Sequence, residues 1–289
     1  MDWLKRMNDA MDYIEANLAD EISYDRLAQL ACCSTYHLQR MFPFLMGVSI
    51  SEYIRRRRLT LAAFELQTTD TKVIDVAIKY GYDSPEAFSR AFKQQHGIIP
   101  VSARNHGNTL KAYPRLSFQI SIKGDEGMNY RIVQKDAFEM FGVYGVINAD
   151  QNTAFVEVPQ FRQQCDDDFS VDEINALLGR YPDSMLHAAL YDHTVDTFKY
   201  MICYHQPQGL SIPSKFTTLS VPPLRWVIFP EPQCDNLQKL WVRIYAEWFP
   251  TSEYEQAEGP TFEMYYGMAA NAISEIWIPV RQKESNSAK

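Results

Sequence analysis

Cysteine is scarce. Cys32, Cys33, Cys165, Cys203 and Cys234 are odd in number and show no C-x-x-C spacing, which argues against a disulfide framework and against a zinc site. Long apolar runs are missing as well: no stretch approaches the roughly 18 residues that a membrane span needs. The opening MDWLKRMNDAMDYIEANLADEI alternates acids with apolar residues and builds no signal-peptide core. A reducing, cytoplasmic setting without a membrane partner is therefore expected. After residue 107 there is no nucleophile triad, no His/Cys cluster at metal-ligand spacing and no phosphate-cradling glycine loop. No catalytic residue, metal or cofactor is expected. His187, His193 and His205 are scattered and read as structural or surface groups.

What is present is an ordinary globular composition, 46% hydrophobic and 22% charged over 289 residues, enough for two domains of roughly 150 residues each. The net charge of −8 is unevenly spread. Residues 26–107 carry 11 Lys and Arg against 6 Asp and Glu, while residues 108–289 carry 15 against 23. One locally basic segment thus sits in an acidic chain, and the local balance is what phosphates feel. Four of the five Trp and eleven of the seventeen Tyr follow residue 107. The two parts are built for different work.

The first hundred residues have helical periodicity. Leu4, Met7, Met11, Ile14 and Leu18 form one stripe, and short helices follow around Leu27 to Ala31, over TYHLQRMF, over EYIRRRRLTLAAFELQ, from Thr71 to Lys79, and over EAFSRAFKQQ. Two of them repeat. From Ser34, an apolar residue lies four on, Arg six on, Phe eight on and Gly thirteen on (Leu38, Arg40, Phe42, Gly47), and from Ser84 the same offsets give Phe88, Arg90, Phe92 and Gly97. Each is preceded by a short apolar-Ala helix, the pattern of a duplicated helix-turn-helix.

A helix that reads DNA buries one face and offers long polar side chains on the other. Tyr36, Gln39 and Arg40 lie opposite Leu38, Met41 and Phe42, and Glu86, Ser89, Arg90 and Lys93 lie opposite Phe88 and Phe92. Gln suits adenine and Arg suits guanine, each pairing being worth about 1–3 kcal/mol of discrimination, and Glu86 can accept from cytosine. Within the run Arg55–Arg58, the expectation is that Arg57 or Arg58 touches phosphate. Residues 7–107 resemble the DNA-binding domain of the AraC/XylS family of bacterial regulators, through LAQLACCSTYHLQRMF with Gly47, YIRRRRLTLAAFEL, and VIDVAIKYGYDSPEAFSRAFKQQHGIIP with Arg104. The resemblance implies two helix-turn-helix units bridged by a long helix and seated in successive major grooves, with base-reading positions at Tyr36, Gln39, Arg40, Glu86 and Arg90. Pro43 departs from the family pattern, with a kink expected at the end of that helix, and Ala103 replaces an aromatic residue.

Beyond Gly107 the period changes. YPRLSFQISIKG alternates like a strand and GDEG reads as a turn or linker. Two rounds of strand, helix, strand, strand then follow, the signature of an α+β domain made by internal duplication. The expected division is 1–107 for the all-α double helix-turn-helix domain, 108–127 for a strand and linker, and 128–285 for the α+β domain. LWVRIYAEWF, FEMYYG and SEIWIPV mix aromatics with acids, and an aromatic cleft holding a carboxylate suits a cationic or amphipathic ligand. In FEMYY an alternating strand puts Glu263 and Tyr265 on one face, with Phe262, Met264 and Tyr266 on the other. Residues 128–283 resemble the gyrase-inhibitor-like effector domain of multidrug-sensing regulators. The resemblance implies a groove for a small amphipathic effector with a buried glutamate at Glu263, and Tyr144, Trp226, Tyr245 and Trp248 as wall candidates. The expectation is a DNA-binding transcription regulator, not an enzyme, whose partners are double-stranded DNA, a small effector and RNA polymerase. The competing readings of the second part are a hydrolase with a glutamate base and a protein-contact module.

Overall fold

The computed structural model describes residues 3–105, 107–118, 127–179, 186–231, 237–266 and 273–283. Helices come first: α1 (Trp3–Ala16), α2 (Tyr24–Ala31), α3 (Thr35–Met46), α4 (Ile50–Thr68), α5 (Val73–Lys79) and α6 (Pro85–His96), then a 3-10 turn at Pro100–Arg104. The chain divides into two compact units, one made of Met1–Thr35 with Ile50–Ile122, the other of Tyr36–Ser49 with Lys123–Lys289.

In the first unit, Leu59, Ala62, Ala63 and Leu66 of α4 meet Val76 and Ala77 of α5 and Phe88 and Phe92 of α6 in one core. The apolar positions read from the sequence for α5 and α6 fill it, but on α4 the expected stripe of Ile54, Leu61, Phe64 and Leu66 is only partly used: Phe64 is 52% exposed, and Ala62 and Ala63 allow the close approach instead. Ser84 is extended and its side chain accepts from the Ala87 N–H, with Pro85 opening the helix, so α6 starts where its cap satisfies an otherwise orphan donor. Gly97 ends α6 at a φ of 78°, and Gly47 follows α3 at 74°. The repeat is therefore one of backbone conformation: both positions lie in the left-handed region, which is cheap for glycine.

Residues 107–118 form no strand, although 113–118 alternate as one would. Their backbone groups are satisfied by helix side chains instead. The Phe118 N–H donates to Asn8 Oδ1 at 2.9 Å, Asn8 Nδ2 donates to the Phe118 carbonyl at 3.1 Å, and the Leu116 N–H donates to the Tyr53 hydroxyl at 3.2 Å. The rest of that expected strand and its turn, 119–126, lies outside the described residues.

The second unit has the strands β1 (Arg131–Lys135), β2 (Phe138–Asn148), β3 (His187–Tyr191), β4 (Thr197–His205), β5 (Thr217–Val221), β6 (Leu224–Glu231), β7 (Tyr254–Gln256), β8 (Thr261–Tyr266) and β9 (Ile273–Gln282). Helices α7 (Gln151–Asp167) and α8 (Ser170–Leu177) follow β2. After β6 comes α9 (Leu237–Arg243), which runs on into a π-turn at Ile244–Trp248. The sheet is antiparallel, in the order β1-β6-β9-β8-β3-β4-β2-β5, with β7 on β9. Two copies of strand-helix-strand-strand stand in that order: β2, α7–α8, β3, β4 and β6, α9, β8, β9. They meet where β3 pairs with β8, Ala188 opposite Glu263. The lead-in strand of each copy crosses over, β1 pairing with β6 and β5 with β2. Alternation along β8 sends Phe262 and Met264 into a core with Trp226, Ile228 and Trp277, and Glu263 and Tyr265 to the opposite face.

From Tyr36 onward α3 belongs to this second unit. It also runs through Pro43 to Met46, past the end expected near Phe42. Pro43 has no N–H to give and its ring crowds the carbonyl one turn back, yet the helix continues and its last turn closes with the Gly47 N–H donating to the Pro43 carbonyl at 2.8 Å.

Candidate functional site

In the first unit, α6 carries Glu86, Arg90 and Lys93 exposed and Ser89 half-buried, on the side away from buried Phe88 and Phe92. A capped helix with an aromatic underside and this polar face can present side chains to base edges. The arginine run of α4 is used differently from the expectation. Arg57 Nη2 donates to Glu15 Oε2 at 2.7 Å, its Nε to Glu15 Oε1 at 2.9 Å, and its Nη1 to the Tyr113 carbonyl at 2.6 Å. Arg58 donates to the carbonyls of Leu18 and Asp20 at 2.8 and 2.7 Å. Arg55 and Arg56 both pair with Glu52. Thus Arg57 and Arg58, expected at phosphates, hold the first unit together: α4 grips the end of α1 and the turn after it.

The other three reading candidates are on α3, and in the second unit they face inward. Arg40 is 8% exposed, and Tyr36 donates its hydroxyl to the Gly259 carbonyl at 2.9 Å. With Gln39 and Phe44 they line a cavity of about 360 Å³, closed by Pro159 and Arg162 of α7, Leu237 and Trp241 of α9, His193 and Phe198, Tyr200 of β4, and Glu263 and Tyr265 of β8. This is within the roughly 300–1,000 Å³ typical of small-molecule sites. A column of rings fixes α3 against α9: Phe44 stacks on Trp241 and Tyr245 with centroids 5.2 and 4.8 Å away, and His37 lies edge-on to Phe249 at 4.7 Å. The Gln256 N–H donates to His37 Nδ1 at 3.3 Å. Burial, reinforced by Lys283 and Arg281, lowers the His37 pKa to about 3, so the ring is a neutral acceptor.

The polar groups of the cavity fall into two sets. In the first, Glu263 accepts from Trp241 Nε1 at 2.9 Å and from the Tyr265 hydroxyl at 2.8 Å. Arg162 lies alongside, its Nε 2.7 Å from the Tyr200 oxygen and its Nη2 3.2 Å from that of Tyr265. Burial opposes the Arg162 charge, but Tyr200, Tyr265 and Glu263 outweigh it and raise its pKa. Burial and the Glu263 charge both push the Tyr265 hydroxyl up, so it stays protonated and donates. In the second set, Arg40 Nη1 meets His193 Nδ1 at 3.0 Å. Burial first, then Arg40, drives the His193 pKa well below its ordinary value, so its Nδ1 accepts.

The structure thus brings Tyr36, Gln39, Arg40, Glu263 and Tyr265 to one place. Tyr245 is buried directly beneath Phe44 and donates its hydroxyl to Gln256 Oε1 at 2.6 Å. The other wall candidates lie elsewhere. Trp226 is in the core on the opposite sheet face, Tyr144 is 40% exposed beside Tyr191, and Trp248 packs on Tyr130, Phe229 and Tyr254. Sequence reasoning missed Trp241, Arg162, Phe44 and His193. Trp241 was within reach, being four residues before Tyr245 and so on the same helix face.

A helical part with a reading face and a sheet part with a cavity of small-molecule size are the parts of a DNA-binding regulator with a small-molecule domain. A helix-turn-helix domain family matches residues 27–106, and the GyrI-like small molecule binding domain family matches residues 128–281. The chain belongs to the AraC/XylS-type transcription regulators that carry a GyrI-like domain. It is 45% identical over 115 residues to the HTH-type transcriptional activator AarP of Providencia stuartii, covering 38% of this chain and 85% of AarP. It is 38% identical over 104 residues to the Right origin-binding protein of Escherichia coli (strain K12), covering 36% of each chain. The structure of SAV2435 bound to tetraphenylphosphonium is similar over 55% of this chain and 98% of that one, with a TM-score of 0.46 and 15% identity. Among the described residues, no helix is long and apolar enough to cross a membrane.

Proposed function

We propose that this chain reads duplex DNA in the bacterial cytoplasm through the recognition helices α3 and α6, and that a small amphipathic molecule in the cavity of the second unit tunes that reading. The observation that carries the DNA half is the outward face of α6, with Arg90, Lys93 and Glu86 exposed over a Phe88 and Phe92 base. Arg90 is the group for guanine and Glu86 for cytosine. RNA polymerase is the partner such a regulator would act upon. The site is one of binding, not hydrolysis: both Glu263 oxygens already accept hydrogen bonds, from Trp241 and Tyr265, so the carboxylate is engaged with the wall and not turned on a water.

Selection of bound duplexes from a random pool by the purified chain tests this reading. Two different short motifs about one helical turn apart, with no inverted repeat, are expected from two unlike helices in one chain. Enrichment of a perfect palindrome bound only by dimers would refute it.

A further inference from the structure

The side chains of α3 that would read bases are the side chains that wall the cavity. Tyr36, Arg40 and Phe44 recur every four residues and form one stripe of the helix, and that stripe lines the cavity along its length. The charge in that cavity is also unbalanced. Glu263 has Arg162 beside it and two hydroxyl or indole donors on its oxygens, so its charge is met. Arg40 has no such answer. It is more than nine-tenths buried, no carboxylate pairs with it, and its Nε and Nη2 have no hydrogen-bond partner among the described residues. The two groups that meet it, His193 and the Tyr245 hydroxyl, are both neutral, so no charge answers the guanidinium. A buried guanidinium with idle donors is costly unless an acceptor reaches it, and its fork geometry matches a carboxylate.

We propose that the cavity takes an amphipathic anion, with its carboxylate-type end on Arg40 and its apolar body against Phe44, Phe198 and Trp241, and that this ligand holds α3 out of the major groove. The inference rests on the proposed DNA-reading function and adds the ligand class and the sign of the regulation. That sign follows from geometry. The site is complete only while α3 forms its wall, and one face of a helix cannot line a protein cavity and lie against base edges at once. A ligand that binds this arrangement therefore stabilises it against DNA, and DNA must weaken the ligand by the same factor.

Calorimetric titration of the full chain with phenylhexanoate, phenylhexanol and phenylhexylamine tests the proposal, since the three share a body and differ at the end group. The carboxylate is expected to bind at least tenfold more tightly than the alcohol, and the amine more weakly than either. Arg40→Met should bring the carboxylate down to the level of the alcohol. Saturating phenylhexanoate should lower affinity for a duplex selected from the random pool, and that duplex should lower phenylhexanoate affinity equally. Tighter binding of the amine than of the carboxylate overturns the proposal, even if the Arg40 variant fails to fold. So does carboxylate binding that leaves DNA affinity unchanged. These failures leave the DNA-reading function standing. A selection that enriches no sequence brings down that function and this inference with it.

Discussion

Replacing Arg57 with Ala separates two roles that the sequence leaves open, phosphate contact and internal clasp. In the structure the guanidinium makes a two-pronged pair with Glu15, and the two side chains are only 12% and 14% exposed. Tyr53 donates its hydroxyl to the same carboxylate at 2.5 Å, so Glu15 ties α1 to α4 twice. The variant leaves Glu15 with Tyr53 alone and strips the Tyr113 carbonyl of its donor. Breaking a buried ion pair from one side costs about 3–5 kcal/mol, and with about an eighth of each side chain still solvated, about 2–3 kcal/mol is a reasonable discount. For a unit of this size that corresponds to a fall of roughly 10 °C in the Tm of its transition. Circular dichroism melts of the wild type, Arg57→Ala, Glu15→Gln and the double variant measure it. The double variant should cost clearly less than the sum of the singles, because each single already removes the pair. An unchanged Tm, together with a salt dependence of DNA binding flatter by about one phosphate contact, would place Arg57 on the DNA and refute the clasp.

Acid should loosen the second unit before carboxylates titrate. The His37 pKa falls from 6.5 to about 3 on folding, so its share of stability is present above 6.5 and is lost as pH drops toward the folded value. At pH 5 this is a loss of about 2 kcal/mol, and His37→Asn should remove that part of the pH dependence of the melt. Phe44→Ala deletes the ring stacked on Trp241 and Tyr245. It should weaken the seating of α3 by about 1–2 kcal/mol, shift Trp241 fluorescence to the red, and raise affinity for selected DNA. A loss of affinity would show that the seating does not oppose DNA. Arg90→Ala should relax base preference in one motif only, at about 1–3 kcal/mol. Selection with the variant checks this, and an unchanged motif would remove Arg90 from the reading set.

What could be read in advance was whatever is local in the chain. The periodicity of α5 and α6, the Ser84 cap, the paired glycines and the face-splitting alternation of β8 each depend on residues within a turn or two, and each is where the pattern put it. The sequence also marks the duplication of strand-helix-strand-strand, because both copies repeat the same order of patterns. Partners distant in sequence left no such trace. Glu15 and Arg57 are 42 residues apart on different helices, and nothing in either helix announces the other. An arginine looks the same to a periodicity argument whether it meets phosphate or carboxylate.

The case of α3 is subtler, because the signal was present and was cut off by one residue. Taking Pro43 as the end of the helix left Tyr36, Gln39 and Arg40 as a polar face with nothing beyond it, which is how a DNA-reading surface looks. Once the helix is carried through Pro43, Phe44 joins the same stripe, four residues after Arg40 and eight after Tyr36. A fully solvated phenyl ring on a groove-facing stripe gains little, whereas the same ring between Trp241 and Tyr245 is worth about 0.5–1.5 kcal/mol per contact beyond its burial. Tyrosine and arginine, amphipathic residues with apolar stems and polar tips, serve either environment. The stripe Tyr36, Arg40, Phe44 is therefore ambivalent by composition: polar enough at two positions to engage bases, and apolar enough at the third to be drawn back against α9. On the proposed mechanism, that ambivalence is what would let a ligand of modest affinity decide the matter, because a gap of a few kcal/mol between two placements of α3 is within reach of differential binding.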